Sequence, residues 1–249
     1  MHTIDPTTDA HEIERVPAAD GELVLRRVGA HYEIISNGCF LMDTRAGESE
    51  RLLARTALDA LGAGDVAGAG GSTGLRILVG GLGVGFTLRE TLADPRVAHV
   101  TVVERESAVV RWGRGPLAPF SGHALNDPRV RVLTHDLVAW ARSPLGPEAP
   151  DTRNTPDGSD APERFDALCL DIDNGPDWTV TDGNASLYDD AGLAALRARL
   201  RPGGVLTVWS ATASPAFADR LRARFARVTV HRVPVARGEP DVVFVAREG

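Results

Sequence analysis

The sequence contains no lysine and few cysteines. All 27 basic residues are arginines, which excludes Schiff-base chemistry by a lysine. The two cysteines, Cys39 and Cys169, lack the spacing of metal ligands, and Cys169 lies in an apolar strand pattern typical of a buried structural thiol. The histidines show no metal-ligand spacing either. We therefore expect a protein without a metal site.

A net positive charge and long apolar runs are also absent. The formal net charge of −7 argues against a broad nucleic-acid-binding face. The N-terminal stretch "MHTIDPTTDAHEIERV" lacks the hydrophobic core of a signal peptide, and no apolar run approaches the length of a membrane span. We expect a soluble, cytoplasmic protein that binds neither nucleic acid nor membrane.

The chain is long enough for one large α/β domain with a small additional unit. We expect a mobile arm over residues 1–20, a small β-hairpin unit with a helix over 21–61, a glycine-rich connector over 62–74 and a large α/β domain over 75–249. The stretch 143–163 is rich in proline, aspartate and serine, which predicts a disordered loop, with a lid as the alternative.

Strand and helix patterns alternate from residue 75 onward. This alternation predicts a mostly parallel sheet that is covered by helices on both faces. The last two strand patterns, "RVTVHRV" and "DVVFVAR", follow each other without a helix. They predict an antiparallel hairpin at the edge of the sheet.

A glycine-rich turn lies in "RILVGGLGVGFTLRETL", between a predicted strand and a predicted helix. Gly81, Gly83 and Gly85 allow a ligand to approach the backbone N–H groups and the start of the helix. The dinucleotide fingerprint G-x-G-x-x-G/A requires a small residue where this chain has Phe86. The turn therefore disfavours NAD and favours a nucleoside with a short charged tail.

Two acidic residues follow the next two predicted strands. Glu104 ends the second strand and is placed to accept hydrogen bonds from both hydroxyls of a ribose. Asp136 follows the third strand, where it can accept a hydrogen bond from an adenine amino group or cap the next helix. Gly80, Arg105 and His135 adjoin these residues and complete the predicted nucleoside site.

In this order, the elements resemble the fold of S-adenosylmethionine-dependent methyltransferases and, more specifically, the spermidine synthase (aminopropyltransferase) family. The resemblance covers residues 21–247 and is carried by "GGLGVGFTLRE", "VTVVERE", "NDPRVRVLTHD", "FDALCLDIDNGP" and "LYDDAGLAALRARLRPGG". It implies a Rossmann-like seven-stranded α/β fold with a small N-terminal β unit. It also implies S-adenosylmethionine or its decarboxylated form as the donor, no metal, and a possible homodimer.

Three positions depart from the pattern of that family. The aspartate that holds the amine of the donor within G-G-G-D-G-G is replaced by Gly83. The tyrosine and the glutamine or histidine of the preceding helix fall on Leu53 and Ala54, and the second aspartate of D-x-x-D-P falls on Asn174. These changes remove groups that bind amines. They favour methyl transfer from the ordinary donor over aminopropyl transfer.

Asp171 and Asp173 are the predicted catalytic residues, and Asp171 also adjoins the donor. If the strand continues this far, both side chains face the crevice at the carboxyl end of the sheet. Repulsion between them would raise the pKa of one carboxyl, which could accept a proton from an attacking amine or hydroxyl. An Asx turn with Asn174 and Gly175 is the alternative role of one acid.

Several side chains are candidates for binding the acceptor, because aromatic rings and polar groups attract a cation. Packing explains the aromatic residues equally well, and Met42 could join Tyr32 in a wall opposite the sheet. The candidates are Asn174, Trp178, Tyr188, Trp209 and Tyr32.

We predict an S-adenosylmethionine-dependent transferase that moves an alkyl group, most simply methyl, to a small nucleophilic acceptor. A divergent aminopropyltransferase is the first alternative. A non-catalytic sensor or scaffold that binds the nucleoside is the second, and an NAD-dependent oxidoreductase is the least favoured.

Overall fold

The computed structural model describes residues 10–62, 74–143, 163–179, 181–235 and 238–249. The predicted connector and the proline-rich loop fall almost entirely outside the described residues. Within those ranges the strands are β1 (Ala10–Ala18), β2 (Gly21–Val28), β3 (His31–Ser36), β4 (Cys39–Asp43), β5 (Leu75–Gly80), β6 (Val97–Glu104), β7 (Val130–Thr134), β8 (Phe165–Leu170), β9 (Leu200–Ser210), β10 (Arg227–Val233) and β11 (Asp241–Arg247). The α-helices there are α1 (Glu48–Leu61), α2 (Phe86–Ala93), α3 (Ser107–Arg114), α4 (Leu137–Arg142), α5 (Asp190–Ala198) and α6 (Pro215–Arg222).

A seven-stranded sheet has the order β10-β11-β9-β8-β5-β6-β7. Strands β5 to β9 run parallel to one another, as the alternation of strand and helix patterns predicts. The central strand β5 is buried along its whole length, because helices cover both faces of a parallel sheet. The carboxyl ends of β5, β6, β7, β8 and β9 therefore lie along one edge, where such folds bind ligands.

The two last strands form the antiparallel hairpin that the sequence predicts. Strand β11 lies inside the sheet, between β9 and β10, and is antiparallel to both. Of the two hairpin strands, β10 lies at the edge of the sheet and β11 does not. This order brings the first residue of β11, Asp241, to the same edge as the carboxyl end of β9, because Val242 pairs with Ser210.

The seven-stranded sheet separates the hydrophobic core into two layers, and helices cover each layer. Helices α1 to α3 contribute Leu53, Leu88 and Trp112 to one face of the sheet. Helices α4 to α6 cover the other face with side chains that include Leu137, Leu193 and Phe217. Helix α1 buries Leu53, Ala57 and Leu61 at the spacing of one helix face. This packing fixes the beginning of α1 above the carboxyl ends of the parallel strands.

The N-terminal unit is a four-stranded antiparallel sheet of β1 to β4. The predicted turn at Asn37 and Gly38 is present, with φ angles of 50° and 78°. The prediction of a mobile arm is wrong for residues Ala10–Ala18, which form β1 and pair with β2. Glu14 anchors this strand to α3 by accepting a hydrogen bond of 2.6 Å from Trp112 Nε1.

A search of the described ranges for a helix long and apolar enough to cross a membrane finds none.

Candidate active site

The predicted glycine turn connects β5 to α2 at the carboxyl edge of the sheet. Gly81, Gly83 and Gly85 all have positive φ angles, of 86°, 52° and 92°. A Cβ atom on Gly81 would lie 2.1 Å from the carbonyl oxygen of Asp171, so only glycine allows the turn to touch the end of β8. Asp171 N–H in turn donates to Gly80 O at 2.7 Å. The glycine turn and Asp171 thus form one rigid junction.

Glu104 ends β6 beside the glycine turn, as predicted. Its Oε2 accepts a hydrogen bond of 2.8 Å from the backbone N–H of Leu82, and its Oε1 accepts one of 2.8 Å from Glu106. Burial raises the pKa of this carboxyl, although the backbone N–H groups oppose the shift. Each carboxylate oxygen has a second lone pair available for a further donor such as a ribose hydroxyl.

The remaining predicted nucleoside residues border the same edge. Asp136 caps α4 by accepting a hydrogen bond of 2.8 Å from Ala139 N–H, which is the alternative role that the sequence left open. Its neighbour His135 is exposed, and its Nδ1 lies 3.1 Å from Asp136 O. Arg105 forms an ion pair with Asp20 of the N-terminal unit. Arg105 therefore ties the two sheets together at this edge.

Asp171 lies directly after β8, where the sequence places the chemistry. Thr87 Oγ1, in the first turn of α2, donates a hydrogen bond of 2.7 Å to Asp171 Oδ2. Burial and the negative charge of Glu50 raise the pKa of Asp171 to about 7, with smaller contributions from Glu104 and Asp241. A carboxyl with this pKa can take up and release a proton near neutral pH.

The strand does not continue to Asp173. Strand β8 ends at Leu170, and Asp173 has a φ angle of 51°, in the left-handed region. Asn184 Nδ2 donates a hydrogen bond of 2.6 Å to Asp173 Oδ2, which fixes the loop against the following 3-10 helix. The expectation that alternation along one strand pairs the two aspartates is therefore wrong, because the left-handed residue turns the chain away. The acids that raise the pKa of Asp171 come from other elements.

Two acids that the sequence analysis missed complete the site. Glu50 lies in the first turn of α1, and Asp241 begins β11. Ser49 Oγ lies 2.8 Å from Glu50 Oε2 and 2.7 Å from Asp241 Oδ2, so that the hydroxyl bridges the carboxyl groups. Burial raises the pKa of each acid. We call Glu50, Asp171 and Asp241 the acid cluster.

The predicted aromatic residues separate into two groups. Tyr188 is buried near Asp171 and Asp173, and Trp209 lies beside Asp241. Trp178 is 59% exposed, and Tyr32 packs edge-on against Phe120 in the N-terminal unit.

The main chain of Asn174 and the side chain of Met42 contact residues at the edges of the site. The carbonyl oxygen of Asn174 accepts a hydrogen bond of 3.0 Å from Ala211 N–H and so holds its loop over the end of β9. The thioether of Met42 lies against Gly83, where an added Cβ would be 2.4 Å from Met42 Cε. Met42 thus fills the space that a side chain at position 83 would need.

Groups of three or more histidine, cysteine, aspartate or glutamate side chains that could hold a metal ion do not occur among the described residues.

The fold and the site define a class of protein: a Rossmann-like α/β fold with a glycine turn after one central strand and an acid at the end of the next, the arrangement of nucleotide-binding α/β folds. Among solved structures, the spermidine synthase of Thermotoga maritima matches with a TM-score of 0.69 over 96% of this chain and 73% of its own. Its sequence identity is 16%, so this likeness establishes the fold alone.

Curated relatives point in the same direction. The polyamine aminopropyltransferase of Corynebacterium efficiens is 33% identical over 137 residues, which is 55% of this chain and 22% of that protein. Putrescine N-methyltransferase 2 of Nicotiana tabacum is 28% identical over 131 residues, or 53% of this chain and 31% of the relative. The chain thus spans less than a quarter of the first relatives that it matches. No protein-family model matches it.

These findings confirm the resemblance to the spermidine synthase family that the motifs indicate.

Proposed function

We propose that this protein transfers an aminopropyl group from decarboxylated S-adenosylmethionine to a small amine. The acid cluster is the observation that carries the amine acceptor in this proposal. Partly buried carboxyl groups beside the predicted donor site favour binding of ammonium groups. The names of the curated relatives support the same choice over the methyl transfer that the sequence favoured.

The residues present fit the nucleoside of such a donor. Glu104 has acceptor positions left beside the glycine turn, and the carboxylate of Asp136 uses one oxygen for its helix cap. We assign Glu104 to the ribose, Asp136 to the base and the backbone of Gly81 to the tail. When bound, the donor supplies a carbon activated by its sulfonium group.

Asp171 has the role of general base in this proposal. Its carboxylate accepts a proton from the ammonium form of the acceptor and leaves a neutral nitrogen with a free electron pair. That nitrogen forms the new C–N bond while the C–S bond breaks, and the electron pair of the broken bond goes to sulfur. The product nitrogen remains a protonated secondary ammonium, and Asp171 releases the proton it has accepted to solvent. Thr87 orients the carboxylate through its 2.7 Å hydrogen bond.

Methyl transfer is the second candidate, and the contact between Met42 and Gly83 favours it. A thioether lies where the resemblance expects a carboxylate for the amine of the donor. The likeness to putrescine N-methyltransferase fits this candidate. Both candidates use the same base and an amine acceptor, so they differ only in the group that is transferred.

A product assay separates the candidates. Purified protein is incubated with S-adenosylmethionine or its decarboxylated form and a panel of mono-, di- and triamines, and the products are identified by mass spectrometry. We expect an aminopropylated amine with the decarboxylated donor and little product with the ordinary one. Methylated product alone would replace the proposal with the second candidate. If neither donor gives product although methylthioadenosine raises the Tm, the protein is a sensor or scaffold.

A further inference from the structure

Two buried threonines of α2 use their hydroxyl groups in different ways. Thr91 Oγ1 donates a hydrogen bond of 2.8 Å to Thr87 O, the carbonyl four residues earlier, which is a common contact of a threonine inside a helix. Thr87 is the second residue of the same helix and makes its contacts outside it. Its Oγ1 lies 2.7 Å from Asp171 Oδ2 and 3.2 Å from Glu50 O, so this hydroxyl joins α2 to α1 and to the end of β8.

One proton serves both contacts of the Thr87 hydroxyl. A threonine hydroxyl has a single hydrogen to donate, and both neighbours are acceptors when Asp171 is ionised. The carboxylate is the stronger acceptor and makes the shorter contact, so the proton lies toward Asp171 Oδ2. The carbonyl oxygen of Glu50 is the alternative acceptor when Asp171 carries a proton of its own. The hydroxyl therefore has a partner in both protonation states of the carboxyl.

The other groups around Asp171 oppose its ionisation. Glu50 approaches it from α1, Glu104 from β6 and Asp241 from β11. Burial together with these negative charges raises the pKa of the Asp171 carboxyl to about 7, whereas the hydrogen bond from Thr87 lowers this pKa. A hydrogen bond to a charged acceptor is stronger than one to a neutral acceptor, so the hydroxyl stabilises the ionised carboxyl selectively.

The remaining titratable groups near Asp171 do not obscure its titration. Burial raises the pKa of the Cys169 thiol to about 12, and it also raises the pKa of the Tyr188 phenol, so both groups stay neutral around pH 7. Glu50 is a carboxyl whose pKa is raised by burial, an effect that Arg51 opposes. Near Asp171, a titration around neutral pH therefore follows carboxyl groups.

The hydrogen bond from Thr87 also determines which carboxyl oxygen is available to a ligand. The main chain of Asp171 is fixed by its N–H group, which donates to Gly80 O at 2.7 Å. Its Oδ2 is held by Thr87 in the first turn of α2. A rotation of the carboxyl group that moves Oδ2 away would break this bond. Oδ1 is consequently the oxygen left to take a proton from a ligand in the crevice.

We propose that Thr87 is the positioning residue of Asp171: its hydroxyl stabilises the ionised carboxyl by donating to Oδ2 and leaves Oδ1 to take up the proton of the acceptor. This inference rests on the proposed function, in which Asp171 is the base. In that step one N–H bond of the acceptor breaks, an O–H bond forms at Oδ1, and the electron pair stays on nitrogen. The Thr87 hydroxyl keeps its own proton throughout.

The titration of Asp171 tests this inference without requiring turnover. Carbon NMR of the aspartate carboxyl groups follows the titration in the full chain, and the signal that the Asp171→Asn variant lacks identifies the residue. In the Thr87→Val variant the pKa of Asp171 should rise by about 1 pH unit, because the ionised form loses a donor that the neutral form needs less. The Thr87→Ser variant keeps the hydroxyl, so its pKa should lie within ~0.3 pH unit of that in the unaltered protein.

Thr91→Val is the matched control. It makes the same substitution in the same helix at an equally buried position, and it removes a hydroxyl that donates to Thr87 O instead of Asp171. The pKa of Asp171 should be unchanged in this variant. Circular dichroism and Tm establish that each variant is folded. A side chain needed only for packing would give the reverse order, with Thr87→Ser, which loses the methyl group, more disturbed than Thr87→Val.

The pH profile of kcat/KM gives a second readout. In the Thr87→Val variant the acidic limb should move to higher pH by the same interval, so that kcat/KM at pH 7 falls by about 5-fold and recovers at alkaline pH. Thr87→Ser and Thr91→Val should keep the profile of the unaltered protein. The affinity for methylthioadenosine should be the same in all of these proteins, because the hydroxyl acts on the proton of the acceptor.

The outcomes separate this inference from the proposed function. If the folded Thr87→Val variant leaves the pKa of Asp171 within ~0.3 pH unit of its unaltered value, or lowers it, the inference is wrong. It is also wrong if Thr87→Ser or Thr91→Val raises this pKa as much as Thr87→Val does. If the pKa rises as expected but no donor gives product with any amine, the proposed function fails while Thr87 keeps its role in the ionisation of Asp171. A kcat/KM profile that does not follow the shifted pKa would exclude Asp171 as the base.

Discussion

The two halves of the crevice are built in different ways. On the side that we propose for the donor, the glycine turn, Glu104 and Asp136 each belong to a strand end and its following turn, and backbone N–H groups hold both acids. On the side that we propose for the acceptor, Glu50, Asp171, Tyr188 and Asp241 come from four separate parts of the chain. The first half is a set of local motifs, whereas tertiary packing assembles the second.

The largest expected effect comes from Asp171, which lies at the junction of the two halves. Asp171→Asn keeps an acceptor for the Thr87 hydroxyl but removes the base. We expect kcat to fall by about 10²–10⁴-fold while the affinity for methylthioadenosine is unchanged. Steady-state kinetics and calorimetry measure the two quantities. An activity within twofold of the unaltered enzyme would exclude Asp171 as the base.

The pH dependence of stability provides a control for this variant. The folded-state pKa of Asp171 is raised to about 7 from an ordinary value of 3.8. The protonated carboxyl therefore contributes its full stabilisation of the folded state below pH 3.8, and this stabilisation is lost as the pH rises through 7. The asparagine variant does not titrate at this position. Its Tm should match that of the unaltered protein near pH 4 and exceed it above pH 7. A Tm difference that is independent of pH would show that the shift has another cause.

A smaller effect is expected from Glu104, within the donor side. Glu104→Gln replaces one carboxylate oxygen by an amide, so one of the two backbone N–H groups of Leu82 and Glu106 loses its acceptor. We expect methylthioadenosine to bind about 10–100-fold more weakly, since a hydrogen bond to a charged group contributes about 1.5–3 kcal/mol. Amine binding should be unaffected.

Calorimetry with methylthioadenosine measures the loss of affinity in the Glu104→Gln variant. Asp136→Asn is the matched variant for comparison. The asparagine would keep an oxygen for the helix cap, so this change should weaken nucleoside binding less than Glu104→Gln does. Equal nucleoside affinity in the unaltered protein and the Glu104→Gln variant would remove Glu104 from the site. A parallel loss of amine binding would show that the two halves are not independent.

The same division explains what the sequence could predict. The glycine turn, Glu104 and Asp136 could be predicted from the sequence, because each motif and its strand lie within a short stretch of the chain. Glu50 looks like an ordinary acid in the first turn of a helix, where it is favourable in any protein. Asp241 begins a strand and belongs to no recognisable motif. Only the insertion of β11 between β9 and β10 brings it to Ser49, 192 residues away in the chain.

Two local predictions failed for reasons that are also physical. Strand β1 carries mostly exposed residues and a proline, so it lacks the apolar alternation that marks a half-buried strand. Its stability comes from pairing with β2 and from contacts such as that of Glu14 with Trp112. At Asp173, the left-handed backbone ends the alternation, and aspartate adopts this conformation more readily than most residues do. Neither feature can be inferred from periodicity alone.

The smallest expected effect concerns Met42 and Gly83, where the N-terminal sheet meets the glycine turn. Gly83→Asp restores the carboxylate that the family resemblance expects, but its Cβ would lie 2.4 Å from Met42 Cε at a φ angle of 52°. The terminal methyl of Met42 is flexible, so we expect a loss of stability of only about 1–3 kcal/mol, partly recovered in the Gly83→Asp/Met42→Ala double variant.

Donor preference gives the second readout of this pair. In the double variant, the introduced carboxylate should raise kcat/KM for the decarboxylated donor relative to S-adenosylmethionine by several-fold, because only the latter carries a carboxylate that it would repel. Met42→Ala alone is the control, since it opens the space without adding charge. An unchanged donor ratio in a folded double variant would mean that position 83 does not face the donor tail.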